Sequence, residues 1–203
     1  MGNLSTRGHR HSASTSARES ERPVELTLQS LLSRANSLNV GLNQGYGGMT
    51  YENLKYLAQT THIPAYLYRS HVGNKEDVER YGLRRSVGSS INPDNYIRDI
   101  IMHSSRLGGS AGAVLSLTSN LHVANRFRRP GNVVAMISTS LDYSAFKSIA
   151  QVIYENADTL LKNGRIQQAT ILSALRHITA QNENEFFYMR GDIPPQFIIK
   201  INT

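Results

Sequence analysis

Between Pro64 and Thr203, short apolar runs of strand character alternate with longer stretches of helical period, and this order demands a mixed fold whose strands meet across long sequence separations. Ala65-Tyr66-Leu67-Tyr68 reads as a buried strand, broken by the polar stretch from Ser70 to Glu79. Val114-Leu115 with Leu117, and Val133 to Ile137, are further strands, separated by a helix around Leu121 to Phe127. Two helices are expected over 144–162 and 165–178. Glu185 to Tyr188, Ile193-Pro194-Pro195 and Phe197-Ile198-Ile199 supply the last strands. Ahead of this region, Pro23 marks a helix start, and Leu28, Leu31, Leu32, Ala35 and Leu38 recur at helical spacing until the Gly41 to Gly48 loop. A second short helix follows Thr50 with Leu54 and Leu57. These two segments, a helical lead-in over 23–60, are packing elements rather than chemistry, and no internal repeat is present.

Several function classes fall away on composition. The 203 residues contain no cysteine, which removes disulfides, thiolate catalysis and cysteine-based zinc sites. None of the seven histidines shows metal-ligand spacing, so no metal is expected. Lys plus Arg exceed Asp plus Glu by 22 − 15 = +7, which favours anionic partners without choosing among them. No run approaches the roughly 20 apolar residues of a membrane span.

Residues 1–22 are rich in Ser, Thr, His and Arg, with almost no large apolar residue after Leu4, and are expected to form a flexible tail ahead of one domain over 23–203. The opening Met1-Gly2-Asn3-Leu4-Ser5-Thr6 fits N-myristoylation of Gly2 once Met1 is removed. A single acyl chain binds membranes only marginally. Arg7, Arg10, Arg18 and Arg22 would add attraction to anionic lipid, partly offset by Glu19 and Glu21.

Three separated pieces carry candidate chemistry: Tyr68-Arg69, Ser116-Leu117-Thr118 and Glu183-Asn184-Glu185. Taken singly, each has an ordinary structural explanation. Arg69 suits a surface salt bridge, Ser116 and Thr118 suit local backbone satisfaction, and the two glutamates suit a solvated strand edge. His103, following Ile97, Ile100 and Ile101, suits a half-buried helix position.

Together, and in this order, the pieces resemble the catalytic A subunits of the pertussis toxin and cholera toxin group of ADP-ribosyltransferases. Leu67-Tyr68-Arg69 with Gly82-Leu83 resembles the opening strand and loop of that family. Asn92 to His103 ahead of Gly108-Gly109 resembles its helix ending in an active-site histidine. Leu115-Ser116-Leu117-Thr118-Ser119 resembles the Ser-Thr-Ser strand, with Leu121 and Ala124 in the helix behind it. Glu183-Asn184-Glu185-Phe186 leading to Ile193-Pro194-Pro195 resembles the Gln/Glu-x-Glu strand and the closing Ile-Pro-Pro segment. The matches span 64–202, about two thirds of the chain.

The resemblance implies an α+β fold of two small packed mixed sheets around a cleft for NAD, the substrate, with flanking helices. It implies that Arg69 binds NAD and braces the strands, that Ser116 holds the glutamate, and that His103 and Thr118 line the NAD site. Glu185 becomes the catalytic glutamate that stabilises an oxocarbenium-like transition state. Glu183 becomes the acidic residue that orients an acceptor arginine, whose protonated guanidinium is a poor nucleophile without a carboxylate beside it. Lacking the cysteine bridge of the secreted toxins, the chain is expected to be a monomeric effector injected by bacteria into a host cell. There it would modify a host protein, tethered to the plasma membrane if Gly2 is acylated.

The pattern departs from the family at Leu117 and Thr118, where the family has threonine and serine. Alternate strand residues face the same way, so Ser116 and Thr118 can still present hydroxyls on one side. A literal Ser138-Thr139-Ser140 also occurs, but it follows the Val133 to Ile137 strand, at the position of the family's next strand, and is set aside. Competing readings are an inactive transferase fold that binds a host protein, an NAD glycohydrolase with water as acceptor, and a basic nucleic-acid module around Arg126, Phe127, Arg128 and Arg129. No recognised nucleic-acid motif surrounds that cluster, so no nucleic-acid partner is expected.

Overall fold

The computed structural model describes residues 26–38, 48–86, 92–108, 112–181 and 185–203. The first helix, α1 (Leu28–Ser37), begins after Thr27, whose hydroxyl accepts from the Ser30 backbone N–H. The helix therefore starts later than Pro23 suggests, because this cap satisfies a terminal donor that apolar spacing cannot locate. Next comes α2 (Tyr51–Thr60), capped by Thr50. The first strand, β1 (Tyr66–Val72), runs through the polar stretch expected to end it, since Ser70, His71 and Val72 each pair with a residue of β3 (Asn132–Ser138). A short helix, α3 (Lys75–Tyr81), then starts on the Asn74 side-chain cap.

Gly82 closes α3 with φ 76°, and a Cβ there would lie 2.0 Å from the Ile193 carbonyl oxygen. Only glycine allows this approach, which places Leu83 in a bridge with Ile193. The chain continues through α4 (Pro93–Ser105), β2 (Ser116–Thr118), α5 (Leu121–Arg126), β3, β4 (Phe146–Ser148), α6 (Ile149–Lys162), α7 (Gln168–Gln181), β5 (Glu185–Tyr188) and β6 (Ile198–Asn202). The helix expected from residue 144 begins only at Ile149. Phe146, Lys147 and Ser148 instead pair with Tyr188, Phe187 and Phe186 of β5, and Ser148 then caps α6 in a reciprocal box with Gln151.

Among the described residues the fold is α+β, with one six-stranded sheet in the order β4-β5-β2-β1-β3-β6 and every pairing antiparallel. The two mixed sheets expected from sequence are thus corrected to two three-stranded halves of one antiparallel sheet. A single residue pair, Tyr68 with Thr118, joins the halves, whereas β1 and β3 pair along all seven residues of each strand.

Two apolar clusters hold the molecule together. One gathers α1, α2, α4, α6 and α7 with Phe187, so the described helices of the lead-in share their core with the later helices. The other gathers Leu67, Leu83, Leu117, Ile137, Phe146, Phe186, Tyr188 and Phe197. Consecutive Phe186 and Phe187 serve opposite clusters, as the two-residue strand period requires, so β5 is packed on both faces. Among the described residues, no helix is long and apolar enough to cross a membrane.

Candidate active site

The site lies where the two sheet halves part. Thr118 pairs with Tyr68 on one side and Glu185 on the other, and Ser116 pairs with Phe187. Past the Tyr68–Thr118 pair, β1 and β2 no longer bond, so backbone groups facing the opening need other partners. Arg69 supplies one. Its Nη1 donates to the Ser116 carbonyl oxygen at 2.6 Å and bridges the halves with a side chain where the ladder stops. Burial lowers the Arg69 pKa to about 10 against the opposing pull of Tyr96 and Glu185, which still leaves a full positive charge at neutral pH.

Ser116 also faces the glutamate. Its hydroxyl donates to Glu185 Oε1 at 3.1 Å, and the Ser104 hydroxyl at the end of α4 donates to Oε2 at 2.9 Å. His103 Nε2 stands 4.0 Å from Oε1, and the imidazole rests edge-on against Phe187 with ring centres 6.4 Å apart. Burial holds the His103 pKa below the usual imidazole range, opposed by Glu185 and reinforced by Arg69 and Arg106, so the ring is neutral at pH 7. A hydrogen bond from the Tyr96 hydroxyl to the Tyr188 carbonyl fixes α4 against β5 at the other end of the strand.

These groups open onto a cleft of about 650 Å³, within the range of small-molecule sites. Arg69, His103, Ser116, Thr118 and Glu185 all line it. Of the two departures from the resembled motif, Leu117 is buried in the apolar cluster below while still bordering the cleft, and Thr118 presents a threonine to it. Thr118 serves locally as well, its hydroxyl accepting from the Asn120 backbone N–H. Ser138, Thr139 and Ser140 do not line the cleft. Thr139 bonds to the Pro64 carbonyl, and Ser138 and Ser140 bond to each other. Glu183 and Gly2 lie outside the described residues.

Sequence reasoning missed Ser104 and Arg106 and assigned Arg126 and Phe127 to a rival reading. Arg106 adopts a left-handed backbone, φ 56°, directly after α4, a conformation costing a non-glycine residue about 1 kcal/mol or more, and its side chain lines the cleft. The only local sign of it in the sequence is its place just ahead of the Gly108-Gly109 pair. Arg126 and the exposed Phe127 line the same cleft. The combination is one cleft lined by Arg69, Arg106 and Arg126, an aromatic ring, and a carboxylate held by two serine hydroxyls. Such a site can hold an anionic molecule and stabilise positive charge developing next to Glu185. Arg69 Nε is buried with no hydrogen-bond partner among the described residues, so the guanidinium retains unused donor capacity. No protein-family model matches this chain, and no curated protein does.

Proposed function

We propose that this chain is an NAD-dependent mono-ADP-ribosyltransferase that modifies a protein, with arginine as the acceptor. The observation that carries the reading is a bonded chain among three separated motifs. Arg69 donates to the carbonyl of Ser116, 47 residues away, and the Ser116 hydroxyl donates to Glu185, another 69 residues on. The α+β architecture, with its sheet parting beside the cleft, supports the finer reading of the fold as ADP-ribosyltransferase-like.

NAD is the substrate whose N-glycosidic bond breaks, with nicotinamide leaving on the electron pair and positive charge growing at the anomeric carbon. Glu185 lies where it can accept a hydrogen bond from the adjacent ribose hydroxyl and offset that charge. Arg69 and Arg106 give the cleft the positive potential that a pyrophosphate requires. His103, neutral at pH 7, can both donate and accept a hydrogen bond toward a ribose. Glu183 is proposed to orient the acceptor guanidinium and take up its proton, which makes arginine the preferred target. The wider reading, a bacterial effector acting on a host protein and tethered through acylated Gly2, rests on the N-terminal sequence pattern.

The test is incubation of purified protein with labelled NAD and eukaryotic lysate, beside Glu185→Ala, reading protein-bound label and free nicotinamide. Label transfer is expected from the wild type, with a drop of about 10²–10³-fold in the variant at nearly unchanged Tm. Nicotinamide release without label would replace the transferase reading with a glycohydrolase. Neither product from folded protein would leave an inactive, protein-binding fold.

A further inference from the structure

We propose that Ser104 is a positioning residue for Glu185, pinning the plane of its carboxylate from the helical side of the cleft; this rests on the reading of Glu185 as the group that acts on NAD. A serine in the last turn of a helix ordinarily returns its hydroxyl to a carbonyl three or four residues back. Ser105 does so with Met102, as Thr60 does with Tyr56. Ser104 instead donates to Glu185 Oε2, across 81 residues of sequence, from a position only 4% exposed.

The geometry gives this bond a distinct task. The terminal torsion of a glutamate is broad, so one hydroxyl on one oxygen leaves the carboxylate free to swivel. Ser116 holds Oε1 from β2 and Ser104 holds Oε2 from α4, so two rigid elements fix both oxygens. Each carboxylate oxygen has a second acceptor site, so both remain able to accept from a substrate. The helix end that carries Ser104 is itself anchored, because the Ser173 hydroxyl of α7 donates to the Ser105 carbonyl. Ser104 does not line the large cleft, and its effect must pass through Glu185.

The experiment compares wild type, Ser104→Ala, Ser104→Cys and Ser104→Thr, each checked for folding by its Tm. Nicotinamide-release kinetics are read beside the carboxyl-carbon NMR resonance of Glu185 at one fixed neutral pH. Ser104→Ala should lower kcat about tenfold or more with KM for NAD within about twofold, and Ser104→Thr should restore it, since a hydroxyl donor to a charged acceptor is lost and regained. Loss of that donor should displace the Glu185 carboxyl-carbon resonance, and Ser104→Thr should return it. Ser104→Cys keeps the volume with a weak donor and should behave like Ser104→Ala, which preserves the test if alanine impairs folding. An unmoved resonance and unchanged kcat in folded Ser104→Ala or Ser104→Cys would overturn the positioning role. A resonance that moves in a protein that never consumes NAD would uphold the positioning and overturn the transferase reading instead.

Discussion

The two flanks of β1 behave oppositely. Toward β3 the strand pairs at every residue from Tyr66 to Val72, and the backbone satisfies itself. Toward β2 it pairs once, and beyond that pair the Arg69 guanidinium closes onto the Ser116 carbonyl, beside a carboxylate held by two serine hydroxyls. A complete ladder leaves side chains only packing to do. An interrupted one leaves polar groups that need side-chain partners, and those partners become the walls of a cleft.

Breaking the open flank should have the largest effect. Arg69→Ala removes the brace and the half-buried cation together and should lower NAD cleavage by about 10²–10³-fold. Arg69→Lys should recover little, because an ammonium lacks the planar fork. Near-normal turnover in folded Arg69→Ala would mean that the parting of the strands is incidental to function.

On the closed flank the expectation reverses. Leu67, two residues earlier on the same strand and fully buried, contributes packing. Leu67→Ala should cost about 2–5 kcal/mol in denaturant unfolding while activity per folded molecule stays within about twofold. A selective loss of turnover would show that the two flanks are not separable.

The smallest effect is a pH dependence. Burial, helped by Arg69 and opposed by Asp192, lowers the His71 pKa from 6.5 to about 4. The folded state keeps this imidazole neutral, while the unfolded chain binds its proton below the ordinary value. The contribution of His71 to stability is therefore complete above about pH 6.5 and is lost as pH falls toward about 4. Unfolding midpoints at pH 7.5 and pH 4.5 should lie closer together in His71→Thr than in wild type; an equal gap would assign the acid sensitivity elsewhere, with His103 the next candidate.

Much of the architecture is written locally. The apolar periodicities of α1, α6 and α7 and the strand runs of β1 and β3 follow from residues near one another in sequence. The strand over Phe146 to Ser148 is different. Three residues leading into a long amphipathic helix look helical, and only the open edge of β5 makes them a strand. The continuation of β1 through polar Ser70 and His71 likewise depends on β3 lying alongside.

The same division runs through the site. The amino-acid sequence alone determined which residue types could do the chemistry, an arginine after a strand, serine and threonine flanking an inward leucine, and a glutamate opening a strand, because alternation on strands sets which side chains share a face. Only the tertiary structure decided that Ser104 meets Glu185, that Arg106 joins the cleft lining from a left-handed backbone, and that Arg126 and Phe127 line the same cleft. Each of those depends on where α4 and α5 come to rest against the sheet. Packing across dozens of residues sets that position, and no local period records it.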